Sequence, residues 1–135
     1  MNWNDQMKAL QESARLLNKL NVIDVEFSDG SVLEVYIAMT KEERAIGLST
    51  VPYLDVDGML FYYENASYVP FTMIDMGFDL DIAWFDAAGN VLKSGTFPAG
   101  HTDPIFCPYA FSYVIETQAG TLPVSNLKVK NVQTV

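Results

Sequence analysis

Asp79 and Asp81 stand two residues apart in an alternating run, Phe78-Asp79-Leu80-Asp81-Ile82-Ala83-Trp84. On a strand that spacing puts both carboxylates on one face, about 7 Å apart. Paired carboxylates can hold a hard cation or do acid–base work, and Asp75 upstream would widen the same acidic face. No further Asn or acidic ligand is placed by sequence to complete a shell of six to eight oxygens, so the expectation is a solvated strand face, with Asp79 and Asp81 as the only metal candidates. His101 and Cys107 lie six residues apart in one Pro-containing stretch, a pair of residue types that can make a nucleophile. Nothing nearby supplies the cationic environment that depresses a thiol pKa, so Cys107 is expected to be packed beside Phe106 and Pro108. Ser94 or Ser112 with His101 and Asp103 lacks a strained Gly-x-Ser-x-Gly elbow. The run from Tyr62 to Phe71, with Tyr62, Tyr63 and Tyr68, has the aromatic and turn-residue composition of a binding surface, and equally of a core and its rim.

The elements that must position these residues are mostly short strands. Ile23, Val25 and Phe27 alternate with polar residues, as do Leu33, Val35 and Ile37, and Asp29-Gly30 between them marks a hairpin. Thr40-Lys41-Glu42-Glu43 fits a capping box and Gly47 a helix end, which predicts a helix of about two turns. Further strands are expected over 58–63, 71–73, 78–85, 91–97, 111–117 and 127–132, separated by turn residues. The pattern predicts a mainly β domain, a small antiparallel barrel or sandwich over residues 22–135. Ahead of it, residues 1–21 form an expected amphipathic helical arm. Trp3, Met7, Leu10, Ala14 and Leu17 share one stripe of that helix, which either docks on the same domain or forms a seam for another chain.

Composition narrows the function classes. The chain has 135 residues, 17 acidic against 8 basic, and a formal net charge of −9. Eight scattered basic residues are too few to neutralise a phosphate backbone, so nucleic acid and anionic membrane surfaces are excluded as expected partners. One Cys allows no intramolecular disulfide, and one Cys with one His cannot build a zinc site of nitrogen and sulfur ligands. The first 20 residues lack the apolar core of an export signal, so the expected location is the cytoplasm or the interior of an assembled particle.

Several stretches in order resemble the "domain of unknown function 192" family: Gly47-Leu48, Gly58-Met59-Leu60-Phe61, Phe71-Thr72-Met73, Leu80-Asp81-Ile82 running on to Gly89-Asn90-Val91, and Tyr113-Val114-Ile115-Glu116 followed by Gly120. The resemblance implies a compact, mainly antiparallel β fold with a short helix after the first hairpin, and it implies no activity. Against the family pattern, Val51 replaces an Arg, Thr72, Ile74 and Asp75 replace Trp, Lys and Asn, and Asp79 replaces a Pro. Those cationic and amide donors are therefore missing, as are the paired cysteines typical of relatives. The resulting expectation is a re-purposed scaffold: a non-enzymatic structural or interaction module that needs no cofactor. It would act as an oligomer or as a subunit of a larger assembly such as a phage particle, binding other protein chains through the arm stripe and Tyr62, Tyr63 and Tyr68. The rival expectation is a small-ligand or metal-assisted enzyme using Asp75, Asp79 and Asp81.

Overall fold

The computed structural model of the chain describes residues 21–48 and 54–132. The expected arm, with Trp3, Met7, Leu10, Ala14 and Leu17, lies outside the described residues, as does Val51. Six strands, β1 (Val22–Glu26), β2 (Val32–Ala38), β3 (Gly58–Ser67), β4 (Leu80–Phe85), β5 (Val91–Phe97) and β6 (Phe111–Gln118), form one sheet in the order β1-β2-β3-β6-β4-β5. The mainly β architecture with a short helix after the first hairpin is as expected, but the sheet is open rather than closed into a barrel. It is also mixed, because β2 and β3 run parallel (Val35 opposite Gly58 through Ala38 opposite Phe61). A parallel neighbour needs a crossover, and residues 39–57, which include the helix α1 (Lys41–Ile46), provide it.

Local chemistry explains the elements that the pattern located. Gly30 takes a φ of 91° in the first hairpin, and the Asp29 carboxylate accepts from Ser31 N–H at 2.9 Å. The Thr40 hydroxyl accepts from Glu43 N–H, and the Glu43 carboxylate accepts from the backbone N–H of Thr40, so α1 begins with the predicted capping box. Gly47 ends it with φ of 49° and ψ of −131°, where a Cβ would press on the Phe61 ring.

Two predicted strands are not strands. Phe71 makes only an isolated bridge to Ile105, and the stretch from Leu127 holds one bridge to Phe27 followed by a 3-10 turn at Val129–Asn131. Short apolar runs are ambiguous without a pairing partner, and here each run lies as a cover over the sheet rather than as a member of it.

Both faces of the sheet are buried. On the first face Met59, Phe61, Leu80, Ile82, Trp84 and Val114 form a core covered by two stretches, one carrying Met73 and the other Ile105 and Cys107. On the second, Leu60, Ala83, Phe85, Tyr113 and Ile115 pack under Phe27, Leu127 and Val132. Among the described residues no helix is long and apolar enough to cross a membrane.

Candidate functional site

Alternation along β6 assigns Val114 and Glu116 to the first face and Tyr113 and Ile115 to the second. Glu116 sits mid-sheet, opposite Met59 of β3 on one side and Ile82 of β4 on the other. It is 4% exposed. Among the described residues no donor is hydrogen-bonded to its carboxyl, and burial alone pushes that carboxyl up to about 8. The little surface it keeps faces a cleft of about 480 Å³.

The walls of this cleft come from three places. Lys41 and Arg44 of α1, with Gly47 and Leu48 after it, form one wall; Phe61 and Tyr63 of β3 form the back; and residues 67–76, with Phe71 and Met76 turned inward, form the opposite lip. Alternation on β3 that places Met59 and Phe61 in the first core also brings Tyr63 to this side. Arg44 is held firmly: its Nη1 donates to the carbonyls of Met39 and Tyr62, the latter at 2.9 Å, and its guanidinium lies 4.6 Å from the centre of the Tyr63 ring. Burial raises the Tyr63 phenol to about 12; the Arg44 charge opposes the rise and the Glu116 charge adds to it. Phe71 meets Phe61 edge-on at 5.4 Å and Trp84 edge-on at 6.0 Å, which ties the lip to the core. The arrangement is a largely apolar cleft with a buried carboxyl at its base and two cationic side chains on one wall, a form suited to holding an amphiphilic group.

The paired-carboxylate expectation needs correction. Asp79 is exposed and accepts from Ala99 N–H at 2.8 Å, and Asp75 is exposed with a φ of 66°. Asp81 is not on a solvated face: it is 9% exposed and accepts from the Thr96 hydroxyl at 2.6 Å and from the backbone N–H groups of Gly120 and Leu122 at 2.8 and 3.3 Å. Both faces of β4 are covered, so the carboxylate that would have met water instead anchors the turn after β6. Among the described residues no three His, Cys, Asp or Glu side chains come together in a metal-holding arrangement.

Cys107 is buried in the first core, as the sequence predicts, and His101 packs at 6.4 Å against the Phe97 ring. The three tyrosines separate. Tyr62 turns to the second face and packs on Tyr113 at 5.4 Å, Tyr63 lines the cleft, and Tyr68 projects into solvent. Thr72 is in the cleft lip. Sequence reasoning missed Glu116 and Arg44 as site residues. The available signal was an acidic residue directly after the aromatic and apolar run Tyr113-Val114-Ile115, and the first basic residues after the hairpin, Lys41 and Arg44, on one short helix.

A family model matches residues 24–133: domain of unknown function 192 (DUF192), described as an uncharacterized ACR. The chain belongs to this family. Two solved structures are similar to this DUF192 chain. One is a protein of unknown function from Novosphingobium aromaticivorans DSM 12444, with 22% identity, a TM-score of 0.67, and coverage of 80% of this chain and 84% of that one. The other, from Sinorhizobium meliloti 1021, is described as a candidate transcription regulator, with 22% identity, a TM-score of 0.66, and coverage of 78% and 90%. At this identity the likeness speaks for the fold alone. No curated protein matches the chain.

Proposed function

We propose that this DUF192 domain is a non-enzymatic interaction module that receives a segment of another protein chain in the cleft between α1, β3 and the 67–76 lip. The observation that carries the reading is the lip itself. Tyr68 is 63% exposed and Ile74 53%, with Val69 and Pro70 exposed between them, and this apolar strip leads directly into the aromatic interior of the cleft. Large exposed apolar groups continuous with a concave site are the usual form of an anchor pocket and its surround. The cationic wall and the acidic body elsewhere would orient the partner rather than supply most of the affinity.

Titration of the labelled chain with a panel of short peptides, followed by 15N–1H correlation spectra, tests this. Peptides that bind should shift amides of residues 41–48, 61–63, 67–76 and 116 together. Shifts centred on Asp75, Asp79 and Asp81 instead, on adding calcium or magnesium, would favour the metal-assisted reading.

A further inference from the structure

We propose that the base of the cleft is a binding site for an alkylammonium group, presented as the lysine side chain of the partner chain, with Glu116 as its counter-ion. The inference rests on the cleft being the partner-binding site and adds what that site selects. Two carboxylates are nearly buried in the strands of this sheet, and the fold treats them differently. Asp81 receives three donors, one from a hydroxyl and two from backbone N–H groups. Glu116, more deeply buried, receives none from the described residues, yet it faces an open cleft. A buried carboxyl without donors costs free energy that an incoming donor recovers, and most is recovered by a donor carrying the opposite charge.

The rest of the cleft fixes what carries that charge. Among the described residues the apolar lining that shares the cleft with Glu116 includes Leu48, Phe61, Phe71 and Met76, which suits an unbranched methylene stem. Among the described residues the other charged and titratable groups lining the cleft are Lys41 and Arg44 from α1 and Tyr63 from β3, the last of which feels the Glu116 charge. Arg44 is already committed to two carbonyls and the Tyr63 ring, so it does not serve as the counter-ion. With Lys41 it disfavours a second cation at the wall and attracts a carbonyl or carboxylate there. A lysyl residue offers that polarity: an ammonium at the inner end of its stem and peptide carbonyls at the outer end.

The test uses the full chain with four probes: n-pentylamine, n-pentanol, Nα-acetyl-lysine N-methylamide and Nα-acetyl-norleucine N-methylamide, with dissociation constants read from the amide shifts of cleft residues at pH 8.5. The amine should bind at least tenfold more tightly than the alcohol, and the capped lysine at least tenfold more tightly than the capped norleucine. Glu116→Gln should erase both preferences while leaving pentanol binding within about twofold. Should that variant fail to fold, lowering the pH of the wild-type chain to 6 must weaken pentylamine several-fold and leave pentanol unchanged. Equal binding of amine and alcohol overturns the ammonium site and leaves the cleft as a partner site intact. Tight pentylamine with no preference for capped lysine overturns the lysyl assignment in favour of a free amine. No cleft shifts with any probe overturn both readings.

Discussion

Glu116 also makes a prediction that needs no ligand. Its carboxyl holds its proton to about pH 8 in the folded chain, against 4.5 ordinarily, because burial penalises the charged form. The folded state therefore binds more protons than the unfolded state between these two values. Stability falls wherever the unfolded state binds fewer protons, so the contribution is fully present below 4.5 and is lost as pH rises to about 8. Each pH unit of that gap is worth about 1.4 kcal/mol, which sets a ceiling of about 5 kcal/mol across the window. Urea unfolding followed by tryptophan fluorescence at pH 5 to 9 measures it directly, since Trp84 is fully buried. Glu116→Gln replaces the protonated carboxyl with a group that cannot ionise. Its stability relative to wild type should rise by several kcal/mol from pH 5 to pH 9, and in that difference contributions common to both proteins cancel. Parallel curves for the two proteins would refute the argument, because they would mean that Glu116 reaches enough water or donors to ionise without cost.

Other changes test the architecture. Asp81→Ala should destabilise the chain by roughly 1–3 kcal/mol in urea melts, since Thr96, Gly120 and Leu122 would lose their shared acceptor; a neutral result would mean that water replaces it. Trp84→Ala should cost roughly 3–5 kcal/mol by the same measurement, as a fully buried indole packed edge-on against Phe71 and Phe97 leaves a large cavity. Deleting residues 1–20 should leave a folded monomer that no longer associates, by melting temperature and light scattering, because the described residues already supply a core on each face of the sheet. An unfolded product, or an unchanged mass, would overturn the arm as an assembly element.

The features legible in the sequence are those fixed by neighbours in the chain. The Asp29-Gly30 turn, the Thr40–Glu43 box and the inward set Leu80, Ile82 and Trp84 each follow from a few consecutive residues, and each is in place. Asp81 was misread because alternation identifies the inner face of a strand only when the other face is bare. Here the outer face of β4 is closed by residues 120–122, about 40 positions away in the chain. Glu116 was illegible for the converse reason. Its spacing within β6 is that of any strand residue, and only the order of the sheet, which sets β6 between β3 and β4, turns one acidic side chain into a buried base for the cleft. That Lys41 and Arg44 of α1 share a cleft with Glu116 of β6 could be seen only once the crossover was placed in space.

The crossover also explains why a cleft exists at this position. β2 pairs with β3 only as far as Phe61, and the register of β3 with β6 slips between Tyr62 and Ser67, so the outer half of β3 leaves the regular ladder on both sides. Irregularities of this kind redirect side chains and tend to occur beside sites. The α1 wall answers one side of the gap: Arg44 accepts the role of a missing strand by donating to the Tyr62 carbonyl, and the capping box fixes the helix that carries it. The opposite lip is held by the Phe71–Ile105 bridge, by the buried Met73 and the packed Phe71 and Met76 side chains in the first core, and by the Ser67 and Thr72 hydroxyls, which accept from the N–H groups of Val69 and Ile74. One wall is thus braced by charge-assisted hydrogen bonds and the other by apolar packing of Phe71, Met73 and Met76. A partner entering the cleft would meet the hydrogen-bonded α1 side on one hand and the Phe71 ring on the other, and because Phe71 touches both Phe61 and Trp84 edge-on it links occupancy of the cleft to the core of the domain.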